Sequence, residues 1–241
     1  MPEYFIGTSG WHYDHWQGSF YPDKLPKAKW LEFYADHFNT VELNNSFYNL
    51  PTENAFNNWL NSSPENFIFT VKVNRYITHI KRLKDIKEPL DRFLSRADIL
   101  QEKLGPLLYQ LPPNMKRDDK TLDAVLSMLP FRYSHVVEFR HESWFDDGVF
   151  KILSKYNVGL CVFDKPDFTC PIVATSNFTY FRFHGSSELY SSCYSELELS
   201  DWAKRIVDTS RNKKAVYIYF NNDAEAYAIE NARAISKILV G

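Results

Sequence analysis

Four short segments of the chain carry polar side chains at every second position between apolar ones. The segments TVELN, FTVKVN, VVEFRH and YFRFHG contain the polar pairs Glu42 and Asn44, Thr70 and Lys72, Glu138 and Arg140, and Arg182 and His184. Because successive strand side chains point to opposite faces, each pair shares one face and the intervening apolar residues share the other. A closed parallel barrel, with an apolar helix-facing surface and a polar interior, fits this pattern.

Strand-like segments alternate with helical patterns along the chain, which indicates repeated βα units. The predicted strands are Tyr4 to Gly7, Thr40 to Asn44, Phe67 to Val73, Pro106 to Leu111, His135 to Arg140, Gly159 to Asp164, Phe178 to His184 and Ala215 to Asn221. We therefore predict an α/β fold, a TIM (β/α)8 barrel, as a single domain over residues 1–241, with an irregular connection between strands 6 and 7. The alternative is an open doubly wound sheet, which would bury the polar pairs beneath helices.

Composition argues against several classes of protein. The 241 residues carry a formal net charge of -2, so no overall positive field attracts nucleic acid or an anionic membrane, and nucleic-acid binding is possible but not favoured. The three cysteines lack C-x-x-C spacing, which argues against a disulfide framework and a structural zinc site. The start of the chain does not resemble a signal peptide and no segment is long and apolar enough to span a bilayer, so we expect a cytoplasmic protein without membrane contact.

Several longer motifs occur in a fixed order across nearly the whole chain. They are IGTSGWHYDHWQGSFYP, FNTVELNNSFYNLP, FTVKVNRYITH, KLGPLLYQLPP, VEFRHESW, YFRFHG and YIYFNNDAEAYAIENA. Together they resemble the YecE-like proteins, also called domain of unknown function 72. The resemblance implies a TIM barrel with a cleft at the carboxyl ends of its strands, and it implies no particular activity. Ala226 stands where that family's last motif leads us to expect glycine.

The strongest candidates for chemistry are Glu138 and Arg140 on the fifth predicted strand. We interpret Glu138 as a general acid or base and Arg140 as an anion clamp, followed by His141 and Trp144 as ligand contacts. The alternative is an ion pair that only fills the barrel interior.

The seventh predicted strand repeats this arrangement with Arg182 and His184. In a TIM barrel this region often binds phosphate, so we assign Arg182 to ligand binding and His184 to catalysis. The alternative for His184 is a core histidine bonded to a backbone carbonyl.

Three further positions carry a functional and a structural interpretation. Lys72 could form a Schiff base, although an ion pair with Glu42 is preferred. Asp164 could orient a substrate hydroxyl or a histidine, or simply end its strand before Pro166. Ser9, in the segment GTSG, could cradle a phosphate or lie in an ordinary turn.

Amide and aromatic side chains complete the predicted ligand site. Gln110 and Asn221 can donate to and accept from sugar hydroxyls or base edges. Trp11 and Tyr190 could stack on a sugar or a nucleobase, or pack within a lid, together with the other aromatic residues near them. The remaining residues assigned to ligand binding are Glu42, Asn44 and His79. Asp223 is predicted to be the N-cap of the last helix.

These assignments lead to one functional hypothesis and two alternatives. We expect an enzyme that uses acid-base chemistry on a small or extended ligand bearing hydroxyls and a phosphate-like group. The first alternative is a metal-dependent phosphoesterase or nuclease, for which histidines and carboxylates are suitable ligands, although Lys72, Arg140 and Arg182 would repel a cation. The second is a non-catalytic ligand-binding module. No cofactor is predicted, and a divalent metal remains an alternative.

Overall fold

The computed structural model describes residues 1–166, 168 and 170–241, and its centre is an eight-stranded parallel sheet. The strands are β1 (Glu3–Thr8), β2 (Thr40–Leu43), β3 (Ile68–Lys72), β4 (Leu104–Gln110), β5 (His135–Glu138), β6 (Gly159–Asp164), β7 (Phe178–Phe183) and β8 (Ala215–Phe220). Each strand pairs in parallel with its neighbour in the order β1-β8-β7-β6-β5-β4-β3-β2. The predicted TIM-barrel architecture is thus confirmed.

A short contact between the two edge strands closes the barrel. Ser9, just after β1, forms a parallel bridge with Glu42 of β2. The backbone N–H of Gly10 donates to the carbonyl of Glu42 at 2.9 Å. The backbone of Glu42 therefore forms part of the seam between the first and second strands.

Amphipathic helices cover the outside of the sheet. They are α1 (Trp30–Ala35), α2 (Asn45–Tyr48), α3 (Glu53–Asn61), α4 (Lys87–Ala97), α5 (Asp119–Met128), α6 (Asp147–Lys155), α7 (Glu196–Thr209) and α8 (Tyr227–Leu239). The longest, α7, begins with a capping box in which Ser195 and Glu198 satisfy each other's backbone N–H groups. Its buried residues Leu199, Ala203 and Ile206 recur with helical spacing.

The connection between β6 and β7 has no helix in its described residues, as predicted. Asp167 and Thr169, which belong to this connection, lie outside the described residues. Elsewhere several predicted strands extend too far. Arg140, His184 and Asn221 come just after the ends of β5, β7 and β8, in the loops at the carboxyl end of the barrel.

The aromatic segment after β1 packs within the protein. Trp16, Phe20 and Tyr21 are buried, and the ring of Tyr21 stacks on Trp30 with centroids 4.5 Å apart. The indole N–H of Trp16 donates to the backbone carbonyl of Asp223 at 3.1 Å. These buried rings are therefore part of the packed interior and are unavailable to stack on a ligand.

The start of the last helix corrects one prediction. The side chain of Asp223 makes no capping hydrogen bond, and a 3-10 turn at Ala224–Ala226 separates it from α8. Ala226 has a φ of 62°, in the left-handed region where glycine would be unstrained. The alanine at this position therefore carries backbone strain that the expected glycine would relieve.

No helix in the described part of the chain is long and apolar enough to cross a bilayer.

Candidate active site

An arginine joins two carboxylates inside the barrel. Arg182 of β7 donates from Nη2 to Oε1 of Glu42 at 2.7 Å and from Nη1 to Oε2 of Glu138 at 2.6 Å. The side chains of all three residues are at most 1% exposed. Because buried charges require partners, this triad holds together three strands of the barrel.

Further buried groups saturate the two carboxylates. The hydroxyl of Tyr180 donates to Oε2 of Glu42 at 2.5 Å, and Oγ of Ser9 donates to Oε1 at 2.7 Å. Sγ of Cys161 lies 3.5 Å from Oε2 of Glu138. Sequence reasoning missed Tyr180 and Cys161 as members of this cluster. The signal for Tyr180 was its position two residues before Arg182, which gives it the same strand face.

A second missed cluster lies below the triad. The hydroxyl of Tyr219 is 2.7 Å from Oγ1 of Thr40 and 2.8 Å from Oγ1 of Thr70. All three residues are fully buried. The barrel interior therefore holds a second group of hydrogen-bonded polar side chains.

Arg140 lies above the triad at the mouth of the barrel. Its Nε donates to Oε1 of Glu138, and its Nη2 lies 3.0 Å from Nε2 of His184. The guanidinium stands over the ring of Phe163, 4.6 Å from the centroid. Its side chain is 12% exposed, in contrast to the sealed side chain of Arg182.

Electrostatics restrict what Glu138 can do. Burial alone would raise the pKa of Glu138, but Arg140 and Arg182 outweigh that effect and hold the pKa well below its usual range. A carboxylate that stays ionised is a poor general acid, and the hydrogen bonds on both oxygens leave little basicity.

His184 is also fixed in one charge state. Burial, reinforced by Arg182 and Arg140, lowers the pKa of His184 well below its usual value. The other ring nitrogen, Nδ1, lies 3.0 Å from the amide nitrogen of Asn221 as that amide is oriented. The imidazole is therefore neutral and held on both sides.

Lys72 lies in this site but does not make the expected ion pair with Glu42. Within the described residues, the ammonium of Lys72 has no carboxylate within 4.0 Å. Its Nζ instead stands over the ring of Phe47, 4.3 Å from the centroid. Burial, followed by the charge of Arg182, lowers the pKa of Lys72 to about 8. Glu42 is unavailable as a partner because Arg182, Tyr180 and Ser9 already occupy its carboxylate.

Asp164 lies on the other side of β6, which corrects its assignment to the catalytic group. Cys161 and Phe163 face the interior, as their contacts with Glu138 and Arg140 show. Asp164 therefore points towards the surrounding helices, where its Oδ2 accepts from the hydroxyl of Tyr194 at 2.8 Å. Burial raises the pKa of Asp164 from its ordinary value.

Ser9 belongs to the buried cluster, so its side chain is not free to cradle a phosphate. The backbone N–H of Ser9 donates to Phe220 at 2.8 Å and that of Gly10 donates to Glu42 at 2.9 Å. Because these two amides are satisfied within the barrel, they have no free donor to offer an anion.

Comparison with known proteins supports the resemblance seen in the sequence. The family model described as "Protein of unknown function DUF72" matches residues 5–241. The chain belongs to the DUF72 family. This DUF72 chain is 29% identical to the UPF0759 protein YunF of Bacillus subtilis over 98% of its own length and 94% of the relative's. It is 30% identical to the UPF0759 protein YecE of Escherichia coli K12 over 60% of its own length and 51% of the relative's.

Solved structures of the same family share the barrel. The DUF72 chain matches a crystal structure of a DUF72 family protein from Thermotoga maritima with a TM-score of 0.90 and 32% identity, covering 99% of this chain and 100% of that one. A DUF72 family protein from Enterococcus faecalis matches with a TM-score of 0.82 and 22% identity, covering 98% and 95% of the two chains.

The other predicted site residues of the DUF72 chain are dispersed. Oε1 of Gln110 lies 3.5 Å from Nη1 of Arg182, so this amide reaches the triad. Oδ1 of Asn44 is buried without a hydrogen-bond partner among the described residues. The ring of His79 packs edge-on against Phe47, and burial, followed by the charge of Lys72, lowers its pKa to about 4.

The aromatic predictions have different outcomes. Trp144 is fully buried, stacks on Phe139 and donates from Nε1 to the carbonyl of Met115 at 2.7 Å, so it belongs to the core and not to the mouth. Trp11 is partly buried and packs edge-on against Trp59. Tyr190 is 42% exposed, and its ring packs edge-on against His184.

The side chain of His141 forms a hydrogen bond with the neighbouring backbone. Its Nδ1 accepts from the backbone N–H of Ser143 at 3.2 Å, which caps the short helix at Glu142–Trp144. Within the described residues, no group of three or more histidine, cysteine, aspartate or glutamate side chains is arranged to hold a metal ion.

Proposed function

We propose that the carboxyl-end mouth of the barrel binds a small or extended ligand that bears hydroxyls and an anionic group, phosphate being the leading candidate, and that the protein is an enzyme acting on this ligand. The observation that carries the proposal is an excess of positive charge. With Asp164 on the helix-facing side of β6, the inward carboxylates Glu42 and Glu138 face the cations Lys72, Arg140 and Arg182.

The excess charge is available at the mouth. Arg182 is sealed between Glu42 and Glu138, so the partly exposed Arg140 and Lys72 are the cations that an entering anion would meet. Their field acts in a partly desolvated basin, where an ion pair is stronger than at an open surface. The charge and exposure of these two side chains support anion recognition at the mouth.

Neutral donors and acceptors flank the cations. Gln110 and Asn221 are both partly exposed, and amide side chains pair with hydroxyl groups in either direction. Tyr190 adds a partly exposed ring beside His184. A ligand with hydroxyls and an anionic end matches this set.

The acid-base role moves from Glu138 and His184 to Lys72. Glu138 stays ionised and His184 stays neutral, so both hold Arg140 in position. Lys72, with a pKa of about 8, can exchange a proton near neutral pH.

A metal-dependent phosphoesterase fits the site less well. Both carboxylates are saturated by hydrogen bonds, and both ring nitrogens of His184 face other side chains. A divalent cation would have to displace guanidinium groups from these ligands.

The test measures binding and turnover together. Inorganic phosphate and sugar phosphates are added to wild type, Arg140→Gln and Asp164→Asn, and both the melting temperature and the binding heat are recorded. We expect phosphate to bind wild type and Asp164→Asn and to lose most of its affinity for Arg140→Gln. Equal affinity for all three proteins would refute anion binding at this mouth.

Turnover separates an enzyme from a binding module. The same sugar phosphates are incubated with wild type, and their NMR spectra are followed over time. Conversion that Lys72→Met abolishes supports an enzyme. Binding without conversion of any of them favours the non-catalytic alternative.

A further inference from the structure

Lys72 occupies an unusual position for a lysine. It is the last residue of β3, at the carboxyl end of the barrel, and its side chain is partly exposed to the mouth. Oγ of Ser46 donates to the Lys72 carbonyl at 2.6 Å, which fixes the backbone at this point. The ammonium nitrogen stands over the ring of Phe47, 4.3 Å from the centroid. The backbone of Lys72 is therefore held in place, and its side chain is accessible from the mouth.

The surroundings of Lys72 disfavour its charged form. The nearby charges are Arg182 and Arg140, which oppose a positive charge, and Glu138 and Glu42, which favour it. Both carboxylates are already bound by guanidinium groups, and the ring of His79, on the segment after β3, is uncharged near neutral pH. With a pKa lowered to about 8, Lys72 carries a much larger fraction of neutral amine near pH 7.5 than an ordinary lysine does.

Another lysine in the same chain offers a contrast. Burial also lowers the pKa of Lys103, but its ammonium donates to the carbonyls of Leu60 and Ser63, each at 2.7 Å. Its hydrogens are committed, and it precedes β4 at the amino end of the barrel. Lys72 makes no comparable hydrogen bond within the described residues, so its lone pair is free to react.

We infer that Lys72 is a nucleophile that forms an imine with a carbonyl group of the ligand, so that the substrate class is an aldehyde or ketone bearing an anionic group. This inference rests on the proposed function, because Arg140 would hold the anionic group while Lys72 meets the carbonyl. Lys72 and Arg140 are both partly exposed at one barrel mouth and interact electrostatically, which suits a reaction in which one side chain holds the anionic group and the other meets the carbonyl.

The reaction balances without a further reactant. The amine lone pair forms the N–C bond as the carbonyl π electrons move to oxygen, which gives a carbinolamine. The oxygen then leaves as water with the two hydrogens that the amine carried, and the N=C bond remains. Nothing is oxidised or reduced, and no cofactor is required.

The experiment traps the imine. Wild type is incubated near pH 7.5 with pyridoxal 5′-phosphate or with pyridoxal, reduced with sodium borohydride, and mapped by peptide mass spectrometry. We expect Lys72 to be labelled at least about tenfold faster than Lys103 or the exposed Lys204, as its larger neutral fraction requires. Lys72→Arg should lose this label while the others remain.

Further arms separate this inference from the proposed function. Arg140→Gln should slow labelling of Lys72 by pyridoxal 5′-phosphate more than labelling by pyridoxal, because both reactions lose the effect of Arg140 on the amine but only the first loses the contact with the phosphate group. If phosphate fails to bind but pyridoxal still labels Lys72 selectively, imine formation stands and the anion site falls. If phosphate binds through Arg140 but neither aldehyde labels Lys72 faster than Lys204, the inference is overturned.

Discussion

Nη2 of Arg140 lies 3.0 Å from Nε2 of His184. A guanidinium nitrogen can only donate, so Nε2 must be the unprotonated, accepting nitrogen of the imidazole. The proton then resides on Nδ1, and the side-chain amide of Asn221 meets it with its oxygen once that amide is rotated to match. Arg140 thereby fixes the tautomer of His184, while burial is the main cause of its neutral state.

The first prediction concerns this tautomer. Nitrogen-15 NMR should show His184 as the neutral Nδ1–H form, without titration around the ordinary histidine pKa, because burial and two arginines lower its own pKa. In Arg140→Gln the ring should gain a measurable population of the other tautomer. A His184 signal that titrates near its ordinary pKa would contradict the assignment.

The second prediction concerns the buried triad. Glu138→Gln keeps the volume of the side chain but leaves Arg182 and Arg140 short of one negative charge. We expect the free energy of unfolding in urea to fall by about 3–5 kcal/mol. Lys204→Ala, which removes an exposed pair with Asp201, should change it by less than about 1 kcal/mol and serves as the control.

The third prediction concerns the polar core below the triad. Tyr219→Phe removes the hydroxyl that joins Thr40 and Thr70 and leaves both buried side chains with a missing partner. The free energy of unfolding should fall by about 1–3 kcal/mol. Tyr48→Phe, at a position that is 65% exposed, should have little effect. Equal effects of the two substitutions would show that the Tyr219 hydroxyl contributes nothing to stability.

The fourth prediction concerns pH and stability. Burial lowers the pKa of His135 to about 4, below its unfolded value, so the folded state binds fewer protons. The stabilisation that neutral His135 provides is fully present above about pH 6.5 and is lost as the pH falls to 4. The free energy of unfolding should fall by about 3 kcal/mol in total over this interval. Urea unfolding at both pH values should show a smaller loss in His135→Gln than in wild type. The same loss in both proteins would refute this role.

The fifth prediction concerns pH and phosphate affinity. Since the pKa of Lys72 is about 8, its positive charge disappears as the pH rises through that value. Phosphate affinity, measured by calorimetry, should therefore decline between pH 7 and pH 9.5 in wild type. Lys72→Arg keeps its charge over this interval and should show a flatter profile. Parallel profiles would mean that Lys72 does not face the bound anion.

Alternation of polar and apolar residues was sufficient to predict the barrel and the three charged residues of the buried triad. The period of two placed Glu42, Glu138 and Arg182 on one face, and the structure joins these three by direct hydrogen bonds. A strand period depends only on local backbone geometry, which is why it could be derived from the sequence.

The errors arose where partners come from distant parts of the chain. The sequence of β6 has no alternation of polar and apolar residues that would show which of its side chains point inward. The structure shows that Phe163 points inward, so Asp164 points outward. The expected partner of Lys72 was lost because Arg182, 140 residues away from Glu42, competes for the same carboxylate. Trp144 was predicted to lie at the mouth because it follows Glu138 and Arg140 in sequence. The short helix at Glu142–Trp144 instead directs its side chain into the core.

The double use of Glu42 links assembly of the site to closure of the barrel. Its main chain accepts from Gly10 at the seam, and its side chain holds Arg182. Any fluctuation that parts the first two strands must also loosen the charge network at the centre. Amide hydrogen exchange at Gly10 therefore measures how often the barrel seam and the charge network open together.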